Sequence, residues 1–182
     1  MDTESLIILL VIPQNNFCEQ QLRDLKTVFD AKLVRSVILS KSGQEAVGEM
    51  RTRLMPDGIL VDWDKRFLPN KKFDAVVVVG GKGAKKLIWD DPILPLILTD
   101  HYRAGKVLGA LGLSVVSLAR AGLLAGQQTS APNHKSCTQE LKIAGAHIID
   151  EPMTHSDQIV TARDDSSGKL LGKKILELLG FP

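Results

Sequence analysis

Seven apolar residues in a row, Leu6-Ile-Ile-Leu-Leu-Val-Ile12, open the readable pattern of the chain. An unbroken run rich in β-branched residues predicts a strand buried on both faces, as in a parallel sheet. Pro13 to Asn16 breaks it. Asn16-Phe-Cys-Glu19 then reads as a capping box, with Asn16 accepting from a free helix N–H and Glu19 reaching back. The stripe Leu22, Leu25 and Phe29 continues as a helix. Leu33 to Leu39 predicts a second strand. Turn signals at Gly43, Gly48 and Pro56-Asp-Gly58 predict a small hairpin excursion over residues 43 to 63. Ala75-Val-Val-Val-Val79 is the clearest buried strand; Gly80-Gly81 ends it and a helix follows from about Gly83. Lys106 to Leu111 predicts another strand and Ser114 to Arg120 a short helix closed by Gly122. Residues 133 to 144 read as a helix that stops at Gly145. Ile148-Ile149 and Ile159-Val-Thr161 read as short strands, and Leu171, Ile175, Leu178 and Leu179 stripe a C-terminal helix.

Buried strands alternating with helices define an α/β domain with an open, mostly parallel sheet and helices on both faces. The 182 residues suit one domain, 1–182, able to bury a full core without disulfides or metal. Neither repeats nor a linker interrupt it. Hydrophobic residues at 44% and charged residues at 24% exclude a disordered or collagen-like chain. Lys+Arg at 23 against Asp+Glu at 21 leaves a net charge of +2, which gives a nucleic-acid partner no basic stripe. No apolar run reaches the length of a bilayer span, and Asp2 and Glu4 stand where a signal peptide carries positive charge. Two cysteines, Cys18 and Cys137, make no disulfide framework, so a reduced, cytoplasmic chain is expected. The four histidines have no metal-ligand spacing to them, and neither a metal nor another cofactor is expected.

In this architecture ligands bind beyond the carboxyl ends of the strands. Three such ends matter: Pro13 to Asn16, Gly80-Gly81 and Gly112 to Ser114. Gly80-Gly81 lets backbone N–H groups approach a ligand, as an oxyanion hole or anion nest does; a tight turn needing positive φ is the plainer reading. Gly80-Gly-Lys-Gly83 has neither the dinucleotide-binding spacing nor that of a P-loop.

These residues carry a resemblance. Phe73-Asp-Ala-Val-Val-Val-Val79-Gly-Gly81 resembles the "yDalvlPGG" segment of the ThiJ/PfpI superfamily, with Val79 in place of the usual Pro. Ala121-Gly-Leu-Leu124, followed by Gly126 and Thr129, resembles its "AGLLxGxxxT", and Val160-Thr-Ala-Arg163 its "lvTsR". Order and spacing agree over nearly the whole chain. The resemblance to this class I glutamine amidotransferase-like group, which includes the Parkinson's-associated deglycase/chaperone, implies a flavodoxin-like three-layer sandwich and a homodimer.

It also implies where chemistry belongs, and there the chain departs from the pattern. The family's nucleophilic Cys sits on a sharp strand-to-helix turn, usually in "A-I-C-H-G". Counting back from Ala121-Gly-Leu-Leu124 puts that Cys on Gly112 and the following His on Leu113. Glycine relieves the strain of an elbow and removes the nucleophile together. The family's acid, in a segment like "F-E-D-x-E-L", falls on Gln21 of Phe17-Cys-Glu-Gln-Gln-Leu22; an amide hydrogen bonds but shuttles no proton at neutral pH. The position where many members place a His or aromatic residue before a Pro is Ala131, before Pro132, with His134 three residues further on.

Two residues are candidates to replace the lost nucleophile. Ser114 resembles half of a G-x-S-x-G elbow, though Val116 replaces the last Gly; otherwise it is a first-turn serine bonding to backbone. Cys18 at the start of the first helix would have its thiol pKa lowered by the helix dipole; otherwise it is a small buried thiol. Cys137 fits an apolar stripe with Leu141, and Asp164-Asp165 read as a solvated helix start.

Two function classes follow. One is a non-catalytic family member with a vestigial pocket around Gly112, Leu113, Gln21, Gly80 and Gly81, binding a small ligand or acting as a regulatory or chaperone-like pseudoenzyme. The other is a hydrolase, or a glyoxalase- or deglycase-like enzyme, with its nucleophile relocated to Cys18 or Ser114. A phosphate or nucleotide at Gly80-Gly81 is a third expectation.

Overall fold

A computed structural model describes residues 6–65, 67 and 71–181. Asp2 and Glu4 lie outside them. The chain runs β1 (Ile7–Val11), β2 (Asn15–Phe17), α1 (Glu19–Asp30), β3 (Arg35–Ser40), β4 (Ala46–Gly48), β5 (Arg53–Leu54), β6 (Gly58–Ile59) and β7 (Ala75–Val78). It continues with α2 (Ala84–Leu87), α3 (Leu94–Arg103), β8 (Val107–Leu111), α4 (Val115–Arg120), β9 (Gln128–Thr129), α5 (Lys135–Ile143), β10 (His147–Ile148), β11 (Met153–Ser156), β12 (Ile159–Ala162) and α6 (Gly168–Leu178).

Seven strands form the central sheet in the order β11-β12-β8-β7-β1-β3-β6. Every neighbouring pair is parallel except β11 with β12. The alternation of side chains divides the core in two. Leu9 and Val11 of β1, with Val76 and Val78 of β7, face α2 to α5. Ile8, Leu10, Ala75 and Val77 face α1 and α6. Both faces are covered, which is why β1, β7 and β8 read as continuous apolar runs. The sandwich is the flavodoxin-like three-layer fold expected from the sequence.

Three local expectations are corrected. The capping box does not form: Cys18 is the N-cap of α1 and makes no side-chain cap. Glu19 turns the other way, its Oε1 accepting from the backbone N–H of Met50 at 2.8 Å and of Thr52 at 3.3 Å. Two backbone donors in the turn after β4 outcompete one exposed donor at a helix end. The helix after Gly83 is two helices, because Asp91 Oδ1 accepts from the N–H groups of Ile93 and Leu94 and starts α3 afresh. The hairpin predicted within 43–63 exists as β4 and β5, joined by β2 into a small side sheet, but β6 rejoins the central sheet beside β3. Strand β11 carried no sequence expectation; at the sheet edge only Thr154 of its four residues is buried, so its pattern is weak.

Helices α1 and α6 lie against each other closely. A Cβ on Gly168 would stand 2.8 Å from Cβ of Asp24 and 3.1 Å from the carbonyl oxygen of Gln21. One on Gly172 would stand 3.3 Å from Val28. Two small residues one turn apart thus seat α6 on α1 and fix where α1 holds Gln21.

Candidate functional site

The strand order reverses at β1: the chain winds outward through β3 and β6, then returns to β7 on the other side. Such a reversal opens a crevice at the carboxyl ends of the strands. A cleft of about 600 Å³ lies there, lined by Gln21, Gly81, Gly112 and Leu113. Its other walls are Pro132, Asn133 and the segment Arg163 to Ser166, with Glu49 and Lys82 at the side.

Gly112 follows directly on β8 and has φ +56°. The sharp strand-to-helix elbow is therefore present in backbone, in the left-handed region that disfavours a Cβ. Space is not the obstacle: a Cβ would meet only Gln21 Nε2, at 3.3 Å, and the carbonyl oxygen of Arg163, at 4.0 Å. Two bonds pin the turn. Trp89 Nε1 donates to the Leu113 carbonyl at 2.7 Å, and Ser114 Oγ donates to the Val79 carbonyl at 2.7 Å.

Gln21 is wholly buried beside this elbow. Its Oε1 accepts from the Gly80 N–H at 2.7 Å and its Nε2 donates to Asp165 Oδ1 at 3.3 Å. An amide does both at once; an ionised carboxylate would face Asp165 as a like charge. The Gly80 N–H is thereby taken up and does not point at a ligand, contrary to the expectation for Gly80-Gly81. Gly81 does line the cleft. Its φ is +123°, and a Cβ there would fall 2.3 Å from the Asn16 carbonyl oxygen, so a closely approaching backbone requires glycine.

The relocated-nucleophile candidates sit differently from one another. Ser114 is fully buried with its hydroxyl directed to the Val79 carbonyl. Cys18 is 3% exposed, with its thiol close enough to Asp165 to feel its charge. Burial pushes that thiol up to about 12, and the charge of Asp165 adds to it, against the opposing hydrogen bond from the Gln21 backbone. The lowered thiol pKa expected from the helix start is thus reversed, because desolvation outweighs half a helix charge. Cys137 is likewise pushed up to about 12 by burial. His134 turns from the cleft: its Nδ1 caps α5, accepting from the Cys137 N–H. Ala131 is buried behind Pro132 and Asn133.

Sequence reasoning missed Asp165 and Arg163 as wall residues. Asp165 lines the cleft and accepts from Gln21 beside the elbow. Asp164 is held below the usual carboxylate range, first by the Ser166 hydroxyl and then by that of Ser167. Arg163 ties Asp150 and Asp164 across the rim. The signal was available: Arg163 to Asp165 directly follow β12, so the strand-end rule that selected Gly80 and Gly112 selects them too. Among the described residues no group of three or more His, Cys, Asp or Glu is placed to hold a metal ion. No described helix is long and apolar enough to cross a membrane.

Comparison with known proteins agrees with this geometry. The sequence model of the DJ-1/PfpI family matches residues 8–178, and the chain belongs to that family. It is 27% identical over 172 residues to an uncharacterised protein of Methanocaldococcus jannaschii, a match covering 94% of this chain and 82% of that one. It is 26% identical over 130 residues to the glutathione-independent glyoxalase DJR-1.2 of Caenorhabditis elegans, covering 71% of this chain and 65% of the worm protein. Among solved structures, a ThiJ/PfpI domain protein from Brachyspira murdochii superposes with a TM-score of 0.86 at 23% identity, covering 96% of each chain. Drosophila melanogaster DJ-1beta superposes at 0.81 with 18% identity, covering 96% of this chain and 90% of that one.

Proposed function

We propose that this chain is a non-catalytic member of the DJ-1/PfpI family, which binds a small ligand in the Gly112 cleft and acts in a regulatory or chaperone-like role in the cytoplasm. The observation that carries the reading is Gly112 itself: the elbow keeps its backbone turn but aims no side chain at the cleft. Gln21 in the acid position, bonded to Gly80 and Asp165, supports it. The walls offer a neutral amide and the Asp165 carboxylate near the elbow, with Arg163 and Lys82 further out. That set suits a small polar molecule with hydrogen-bond donors better than a phosphate. The same family membership supports a homodimer.

A second reading rests on the nearness of Cys18 to Asp165, a thiol close to a carboxylate able to take its proton. Turnover of methylglyoxal and of a peptide substrate by wild-type protein separates the two. We expect rates at background, and a rise only when Gly112→Cys is combined with Gln21→Glu. Robust wild-type turnover that disappears in Cys18→Ala or Ser114→Ala establishes relocated chemistry instead. Turnover that survives both changes places the active site elsewhere.

A further inference from the structure

Away from the cleft, on one flank of the α1/α6 pair, lies a groove of about 650 Å³. Its floor is apolar. Val28, Leu176 and Phe181 all pack against the core on that face of the sheet while leaving a surface open to the groove. Its rim is basic: Lys32 at the end of α1, and Lys169 and Lys173 on α6. Lys169 and Lys173 are one turn apart and so stand on the same face of the helix.

None of the three ammonium groups has a hydrogen bond or ion pair with a described residue. The acid on the rim, Glu177, is paired with Lys174 at 2.7 Å. Lysine stems often cover apolar surface with their ammonium groups in water, and a single lysine here would need no other account. Three around one concave apolar floor, with the neighbouring carboxylate already neutralised, make a site with a positive mouth and a dry base.

We propose that this groove binds a single-chain amphipathic carboxylate of the fatty-acid type. The carboxylate sits among Lys32, Lys169 and Lys173, and the hydrocarbon chain lies along Val28, Leu176 and Phe181. Both parts of the ligand are dictated by the surface: the apolar floor excludes a purely polar anion, and the lysine charge excludes a neutral lipid. A volume in the range of small-molecule pockets, and a concave shape, favour one chain over a membrane surface. This site is separate from the Gly112 cleft and does not rest on how that cleft functions.

The probe is dodecanoate, titrated calorimetrically into the full chain below its micellar concentration. Saturable one-to-one binding is expected, stronger for dodecanoate than for decanoate by about fifteenfold, since each of the two extra buried methylenes contributes roughly a factor of four. Dodecylammonium of the same length should bind at least about tenfold more weakly. Lys169→Gln with Lys173→Gln, both exposed and in no ion pair with a described residue, should cost about tenfold in affinity with the unfolding midpoint unchanged. Phe181→Ser should weaken every chain length. Equal affinity for the cation and the anion, or insensitivity to the lysine pair, overturns the proposal. So does adsorption to anionic phospholipid vesicles without binding of free dodecanoate, which assigns the lysines to a membrane surface. Binding that appears only above the micellar concentration is detergent adsorption and overturns it as well.

Discussion

Gly112 shows how one residue carries both a fold requirement and a functional consequence. At φ +56° an L-residue costs about 1–2 kcal/mol relative to glycine through clash of Cβ with backbone. The cleft leaves room for the added atoms, so the cost is confined to the backbone. Gly112→Ala should therefore destabilise the protein by about 1–2 kcal/mol in urea unfolding, with an unchanged denaturant slope. A neutral effect would mean that the turn relaxes out of the left-handed region. A loss of well over 3 kcal/mol would mean that the methyl group displaces Gln21 from its bonds to Gly80 and Asp165. The identity of Gly112 as the elbow was legible from its distance to Ala121-Gly-Leu-Leu124. The role of Gln21 as a bridge was not, because its partner Asp165 lies 144 positions away. Pairings of that kind exist only once the sheet has brought β12 beside β8 and α6 has settled on α1.

At the scale of elements, the sequence was most informative where one physical term dominated. Burial on both faces makes β1 and β7 unmistakable, and the apolar stripes of α1 and α6 need only one apolar side. It was least informative where polar groups had competing partners. Asn16 and Glu19 satisfy the spacing of a capping box, yet Glu19 finds two donors in the turn after β4. Helix α3 shows a further competition with a measurable result. His101, on its buried side, is wholly inaccessible between the rings of Trp63 and Phe73. Its Nδ1 bonds the Ile97 carbonyl at 2.8 Å, while its Nε2 has no partner among the described residues. Burial holds its pKa below the ordinary value of 6.5, and the charges of Lys72 and Lys106 act in the same direction, against the Ile97 bond and Asp100. The unfolded chain therefore binds a proton at His101 at a pH where the folded chain does not. The stability from a neutral His101 is complete above pH 6.5 and is lost as the pH falls below it, toward the folded pKa. The urea midpoint should fall between pH 7.5 and pH 5.5, and His101→Gln should flatten that slope while lowering stability throughout. An identical slope in the variant would assign the acid sensitivity to the carboxylates.

For the whole molecule, the proposed homodimer has a surface that fits it. Met50 and Met55, 76% and 65% exposed, border the small side sheet of β2, β4 and β5. Beside them is a shallow depression lined by Phe17, Leu22 and Leu54, with Arg23 and Lys26 at its edge. Large methionines standing out beside an apolar depression suit a self-complementary contact, where each copy fills the other. A stable pair needs about 800 Å² from each partner, so the contact has to extend over the side sheet and the adjoining flank of α1. That flank, through Leu22, Arg23 and Lys26, is distinct from the one that carries Thr27, Val28 and Ala31 into the basic groove. Light scattering at micromolar concentration should give twice the chain mass of 19.9 kDa. Met50→Asp with Met55→Asp should give the single-chain mass with unchanged far-ultraviolet circular dichroism, since both side chains are exposed and a buried charge arises only in the dimer. Dodecanoate should leave the mass of the wild type unchanged. Dissociation by dodecanoate, with no effect of the methionine changes, would place the contact between copies in the α1/α6 groove and remove the lipid site with it. A 19.9 kDa species at all concentrations would remove the dimer and leave the groove untouched.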